Sequence, residues 1–180
     1  NDFNFIDYHA PETCFEIAKF CRAHKLPREA AFWQKAALGS YQVLLESIKD
    51  TGDIPAQADI IAGAVDTDKI KVIEKKPQSW DGIRGPWRLA AALTYIKPSG
   101  AETQVLAQYL NNWEKGFTVP ALDAAMYLPL AKTLGNRDLT AMMTDTIRQH
   151  FSGNIIYDQP QHYYETTLIT LSLLGILTSQ

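Results

Sequence analysis

The sequence predicts an all-α fold, and three observations support that prediction. Nearly every segment places apolar side chains at helical spacing, and the alternating pattern of strands is scarce. Prolines and glycines stand mainly at the ends of these segments, where they start or stop helices. The links between the segments are short, which favours antiparallel helical hairpins within a single domain covering residues 1–180.

The N-terminal part predicts two helices followed by an irregular stretch. A proline is tolerated at the first position of a helix, so the first helix is expected over residues 11–23. The second is expected after Pro27 and runs to about Lys49. Glycines and prolines then break the pattern, which makes residues 52–79 the least regular part, with one short strand expected at 69–74.

Five further helices are expected in the C-terminal part of the chain. Pro98 stops the first of them, and Asn136 is suited to cap the fourth through its side-chain oxygen. They are predicted over residues 87–96, 101–115, 120–135, 137–151 and 163–177.

Charge and composition argue against two classes of partner. The formal net charge is −3 and no stripe of lysines and arginines is present, which speaks against a nucleic-acid-binding protein. A membrane span needs roughly 20 consecutive apolar residues, and no run approaches that length. We therefore expect neither nucleic acid as a partner nor a membrane span.

The cysteines and histidines predict neither a disulfide nor a metal centre. Cys14 and Cys21 lie seven residues apart in one helical stretch, a separation of about 10.5 Å along the helix axis. A disulfide requires Cα atoms within about 7 Å, so these thiols are expected to be unpaired core residues. The four histidines lack the spacing of a ligand set, and we expect no metal and no cofactor.

The stretch with the most chemical information is residues 79–88, which read Ser-Trp-Asp-Gly-Ile-Arg-Gly-Pro-Trp-Arg. Its glycines and its proline place it at the start of a helix, with Asp81 near the positive end of the helix dipole. That position and the nearby Arg84 favour an ionised carboxylate. A low-pKa carboxylate, an arginine and flanking indole faces suit a site that binds sugar rings and activates water.

Three blocks of this chain together resemble the second half of glycoside hydrolase family 8 enzymes. The first is Tyr-His-Ala-Pro at residues 8–11, followed by the tryptophan-containing helix with Ser-Tyr at 40–41. The second is residues 79–88, which is similar to the family's aromatic-Asp-Ala-x-Arg-x-Pro-Trp-Arg signature. The third is Tyr-Tyr-Glu at residues 163–165. The resemblance implies an (α/α)6 barrel of which this chain supplies the C-terminal half.

The resemblance also implies the role of each site residue. Asp81 matches the general base of an inverting hydrolase, in which the two carboxyl groups lie roughly 6.5–9.5 Å apart with a water between base and sugar. Arg84 would orient the carboxylate of Asp81, and Tyr8 would help to position the attacking water. Trp80 and Tyr163 would contact sugar rings in the cleft.

The implied activity is that of an endo-β-1,4-glycanase acting on a cellulose-like polysaccharide, secreted or periplasmic. The family's general acid is a glutamate in the N-terminal half of the barrel, and no matching motif occurs in this chain. The implied partners are therefore the β-1,4-linked glycan and that N-terminal half, and the isolated C-terminal half would be inactive. Gly82 stands where the family has alanine, Trp80 where tyrosine is common, and His9 where phenylalanine is found.

Each site residue also has a purely structural interpretation. Asp81 could be a first-turn or N-cap acid, as such residues usually are. Arg84 and Arg88 could be surface residues whose stems cover the indoles of Trp80 and Trp87. Trp80 lies outside any apolar stripe and fits either role, whereas Tyr163 and Tyr164 cannot both face the cleft because they are adjacent. The alternative function is a non-catalytic helical domain that binds a glycan or a protein.

Overall fold

Most of the described chain is helical. The structure is a computed structural model that describes residues 4–62, 70–77, 83–113, 120–152 and 166–171. Its helices are α1 (Pro11–Ala23), α2 (Pro27–Thr51), α3 (Gly85–Ala92), α4 (Gly100–Leu110), α5 (Pro120–Thr133) and α6 (Arg137–Ser152), and residues 166–171 are also helical. Its strands are β1 (Asn4–Phe5), β2 (Gln57–Ala62) and β3 (Ile70–Lys76), and a 3-10 turn spans Ile6–Tyr8.

The helical hairpins form where the sequence predicts them. Pro11 and Pro27 occupy the first turns of α1 and α2. Backbone N–H groups there have no intrahelical acceptor, so a proline costs no helical hydrogen bond. Between α5 and α6, Gly135 adopts the left-handed φ of 71° that ends the helix. The side-chain oxygen of Asn136 accepts a hydrogen bond from the N–H of Leu139 at 3.1 Å, so its predicted capping role is confirmed.

Two predicted helix ends are wrong. The helix predicted over residues 87–96 begins at Gly85 and ends at Ala92, because the N–H groups of Thr94 and Tyr95 bond to carbonyls three residues back and tighten the last turn. The helix predicted over 101–115 begins at a Ser99–Glu102 capping box and ends at Leu110, where two asparagines with low helix propensity follow.

A three-stranded antiparallel sheet joins β1, near the start of the described chain, to β2 and β3, which lie in the region predicted to be irregular. The order is β1-β2-β3, and only the strand expected at residues 69–74 was predicted from the sequence. The outer edge of β3 is partly covered by α2, because the carboxylate of Asp50 accepts a hydrogen bond from the N–H of Val72 at 2.7 Å. Such a contact satisfies a backbone donor that an edge strand would otherwise leave unpaired.

The core joins the helices and the sheet into one apolar cluster. Helix α2 packs on α1 and β3, and helix α5 packs on α3 and α6. Fully buried leucines at the centre of this cluster include Leu44, Leu89, Leu106, Leu122 and Leu130. Cys14 and Cys21 are free thiols, as their spacing predicts, and Cys21 is buried in the apolar face of α1.

Within residues 4–62, 70–77, 83–113, 120–152 and 166–171, no helix combines the length and the apolar character needed to cross a lipid bilayer.

Candidate functional site

The candidate site is centred on a contact between Tyr8 and Arg84, two residues far apart in the chain. The guanidinium carbon of Arg84 lies 5.0 Å from the centroid of the Tyr8 ring. Tyr8 is 64% exposed, so its ring forms part of the protein surface. A cation over an exposed aromatic ring contributes about 0.5–1 kcal/mol, enough to favour one arrangement of the two side chains.

Tyr8 is held by the segment that precedes α1. Strand β1 pairs with β2, with Phe5 opposite Gln57, and the following Ile6 is completely buried. The Phe5 and Tyr8 rings contact each other with their centroids 5.5 Å apart. A paired strand and a buried isoleucine thus anchor the 3-10 turn whose last residue is Tyr8.

Arg84 is held by the tightly packed start of α3. Arg84 is the N-cap residue, and the buried Gly85 and Pro86 form the first turn. A Cβ atom at Gly85 would overlap Cδ1 of Ile54 and lie 2.9 Å from its Cγ2. The close approach of α3 to the buried Ile54 therefore requires glycine at this position, in addition to its role at the helix start.

A second contact between the same two segments lies one helical turn further on. Glu12 in α1 forms an ion pair with Arg88 in α3, with side chains only 19% and 18% exposed. The guanidinium carbon of Arg88 also lies 5.1 Å from the centroid of the Trp87 ring. Among the described residues, Glu12 Oε2 and Arg88 Nε are buried without a hydrogen-bond partner, so this pair depends on its single direct contact.

A third contact between these segments lies just after the end of α3. The hydroxyl of Tyr95 donates to Glu16, and the ring of Tyr95 stacks on Phe15 with centroids 5.0 Å apart. The hydrogen bond to the Glu16 carboxylate raises the pKa of Tyr95 to about 12. The same hydrogen bond lowers the pKa of Glu16.

These contacts form a row that fixes the position of α1 against α3. Tyr8, Glu12 and Glu16 follow each other at intervals of four residues, and their partners also follow in chain order. Glu12 and Glu16 lie four residues apart on one face of α1, whereas Tyr8 lies in the 3-10 turn that precedes this helix. The contacts of Glu12 and Glu16 therefore hold α1 against the segment that begins with Arg84.

His9 extends the site toward α2. Its Nδ1 lies 3.4 Å from the hydroxyl oxygen of Ser40, and both residues are half-buried. Burial lowers the pKa of His9, which favours a neutral imidazole. The surface around Tyr8 thus combines an aromatic face, a guanidinium, an imidazole and a hydroxyl, which are groups that can bind a hydroxyl-rich ligand.

A polar turn lies behind the start of α3. Asp53 accepts a hydrogen bond from the N–H of Ile54 at 2.7 Å, and Ile54 in turn packs against Gly85. Burial raises the pKa of Asp53 to about 6, which outweighs the hydrogen bond from Ile54 that lowers it. Burial also raises the pKa of the nearby Tyr109. The turn that supports Arg84 therefore contains a carboxyl group that titrates near neutral pH.

The structure brings together two of the five predicted site residues. Tyr8 and Arg84 are in contact. Asp81, Trp80 and Tyr163 lie outside the described residues. Arg88 does cover an indole, as the structural interpretation of these arginines expects, but it is also paired with Glu12.

Sequence reasoning missed Glu12 and the contact between His9 and Ser40. The spacing of four from Tyr8 to Glu12 equals the spacing from Arg84 to Arg88, and this shared interval could have indicated the row. No local pattern indicates the contact of His9 with Ser40, because it joins residues 31 positions apart.

Comparisons with known proteins identify no relative, since no family model, no curated protein and no solved structure matches this chain. Within the part of the chain that the structure describes, no group of three or more His, Cys, Asp or Glu side chains is arranged to hold a metal ion.

Proposed function

We propose that this chain forms the C-terminal half of an (α/α)6 barrel in an inverting endo-β-1,4-glycanase of the family 8 type. The observation that carries the proposal is the contact between Tyr8 and Arg84. The resemblance places both residues at one catalytic centre, although nothing in their local sequence requires them to meet. Their contact is what a shared site needs.

The order of the chain supports the same assignment for Asp81. Asp81 precedes Arg84 by three residues, and Arg84 is the N-cap of α3. A carboxylate near a helix N-terminus and an arginine is stabilised in its ionised form. An ionised carboxylate can accept a proton from water, which is the task of the base in an inverting reaction.

In this proposal each group has one task in the displacement. Asp81 removes a proton from a water molecule as that water attacks the anomeric carbon, and the glycosidic bond breaks on the opposite face of the sugar. The leaving oxygen takes a proton from a general acid, which the resemblance assigns to a glutamate on the N-terminal half of the barrel. Arg84 keeps Asp81 ionised and oriented, while Tyr8 positions the water. Trp80 and Tyr163 contact sugar rings.

The first test is the Asp81→Asn variant in the complete barrel, formed by this chain and the N-terminal half. Release of reducing ends from a soluble β-1,4-glucan is measured, together with equilibrium binding of an oligosaccharide. Loss of the base is expected to lower kcat by at least 100-fold while changing binding less than about threefold, because a base acts in the transition state.

The matched control is Asp145→Asn, which makes the same chemical change at an exposed position of α6. Its kcat is expected to equal that of the unchanged protein. If Asp81→Asn retains full activity, Asp81 is not the base and the catalytic assignment is wrong. If the unchanged barrel binds oligosaccharide without cleaving it, the chain belongs to a non-catalytic glycan-binding domain instead.

A further inference from the structure

The turn between α1 and α2 is exposed to solvent over its whole length. Every residue from 22 to 29 is exposed, whereas Cys21 and Ala30 on either side of this stretch are buried. Lys25 adopts a left-handed backbone with φ of 59°, which produces the sharp reversal between the helices. We refer to residues 19–35, which include this turn, as the hairpin tip.

The hairpin tip exposes large apolar side chains. Phe20, Leu26 and Phe32 are 59%, 42% and 65% exposed. Phe20 stacks on His24, and Phe32 lies edge-on to Trp33. Single exposed apolar residues are ordinary on a protein surface, but several large apolar side chains exposed on one hairpin are not.

The hairpin tip is also basic, although the chain is acidic. It contains five lysines and arginines against the single acid Glu29, while the whole chain has a formal net charge of −3. Among these cations, Arg22, Lys25 and Arg28 lie within the fully exposed stretch, whereas Lys19 is paired with Glu16 just outside the tip. Positive charge is therefore concentrated on a part of the molecule where large apolar side chains are exposed.

We propose that the hairpin tip binds the surface of a bilayer rich in anionic phospholipid. Lysine and arginine bind the lipid phosphates, while phenylalanine and leucine enter the boundary between headgroups and acyl chains. The charge of the tip is complementary to such a surface and opposite to that of the chain as a whole. This interaction is peripheral and is independent of the proposed glycan site.

The exposed side chains of the hairpin tip favour a lipid surface over a nucleic acid. Binding to a nucleic acid would use the cations but would not require Phe20, Leu26 and Phe32 to be exposed. The combination of both kinds of side chain is typical of interfacial binding.

The proposal is tested by co-sedimentation of the full chain with two kinds of vesicle. One kind contains phosphatidylcholine and phosphatidylglycerol in equal amounts, and the other contains phosphatidylcholine alone. We expect binding to the first kind only, and release at high salt because the charge interaction is screened. Equal binding to both vesicles, or binding to neither, overturns the proposal.

Two matched variants separate the roles of charge and position. Lys25→Asn with Arg28→Gln removes two cations from the tip, and asparagine tolerates the left-handed backbone at position 25. Each cation near an anionic surface contributes about fivefold to binding, so a loss of roughly 25-fold is expected. The control is Lys132→Gln with Arg137→Gln, which makes the same charge change at the exposed residues flanking the turn between α5 and α6. An equal loss in the control means that net charge alone governs binding and overturns the proposal.

A second pair of variants tests the apolar contribution. Phe20→Ser with Phe32→Ser is expected to weaken vesicle binding roughly tenfold or more without changing its dependence on salt. Met142→Ser, at an exposed residue of α6, is the control and is expected to bind as the unchanged chain does. If the phenylalanine variant binds vesicles normally, or if the unchanged chain binds duplex DNA as tightly as vesicles, the tip is a general anion-binding surface and the lipid proposal is wrong.

Discussion

Replacing Asp53 by asparagine is expected to make the protein more stable at pH 8 and to leave its stability nearly unchanged at pH 4. Burial raises the pKa of Asp53 from 3.8 to about 6 in the folded protein, with a smaller contribution from the charge of Glu74. The folded state therefore favours the protonated carboxyl group. The contribution of this carboxyl group to the free energy of unfolding is fully present below pH 3.8 and is lost as the pH rises through about 6.

The size of the effect follows from the difference between the two pKa values. One pKa unit corresponds to about 1.4 kcal/mol, so a shift of this size destabilises the ionised folded state by about 3 kcal/mol at pH 8. Asparagine cannot ionise, and its oxygen can still accept the hydrogen bond that Asp53 receives from Ile54 at 2.7 Å. The substitution thus removes the charge and retains the local contact.

The assay is urea unfolding of both proteins between pH 4 and pH 8, followed by circular dichroism. The free energy of unfolding of Asp53→Asn is expected to exceed that of the unchanged protein by about 2–3 kcal/mol at pH 8 and by under about 1 kcal/mol at pH 4. Asp145→Asn is the control, and its free energy of unfolding is expected to stay within about 0.5 kcal/mol of that of the unchanged protein at both pH values. A constant difference across this range, or a destabilised variant at pH 8, would refute the reasoning.

Two further predictions concern the ion pair of Glu12 with Arg88 and the packing of Gly85 on Ile54. Glu12→Gln and Arg88→Met are each expected to lower the free energy of unfolding by about 1–3 kcal/mol, because each leaves a partly buried charge without its partner. The loss of unfolding free energy in the double variant is expected to be smaller, by at least about 1 kcal/mol, than the sum of the two single losses. Strict additivity would show that the pair is not coupled. Gly85→Ala is expected to destabilise by about 1–3 kcal/mol through overlap with Ile54. Ile54→Val removes Cδ1 and should recover part of that loss, and a neutral Gly85→Ala would contradict the described packing.

The helices with clear boundary residues could be predicted from the sequence. Pro11 marks the start of α1, and Gly135 with Asn136 marks the turn between α5 and α6, because these residues act on their own backbone. The end of α3 could not be predicted in the same way. Its apolar stripe continues to Ile96, whereas the helix ends at Ala92 and the Tyr95 side chain that follows contacts Glu16 and Phe15 on α1.

The sheet and the site depend on pairing between distant segments. Strand β1 contains only two residues and pairs with β2, which lies beyond two long helices, so no local alternation identifies either strand. The contact between Tyr8 and Arg84 is also non-local. The resemblance to a family grouped these two residues, whereas the pair of Glu12 with Arg88 and the contact of His9 with Ser40 arise only from the packing of the helices.

The most direct test of the proposed function is the anomeric form of the first product. A β-1,4-linked oligoglucoside is hydrolysed by the complete barrel, and the anomeric protons are followed by NMR before mutarotation occurs. The proposed role of Asp81 as a base acting through water predicts that the α-anomer forms first. Initial formation of the β-anomer would mean retention through a covalent intermediate, and would contradict the proposed mechanism.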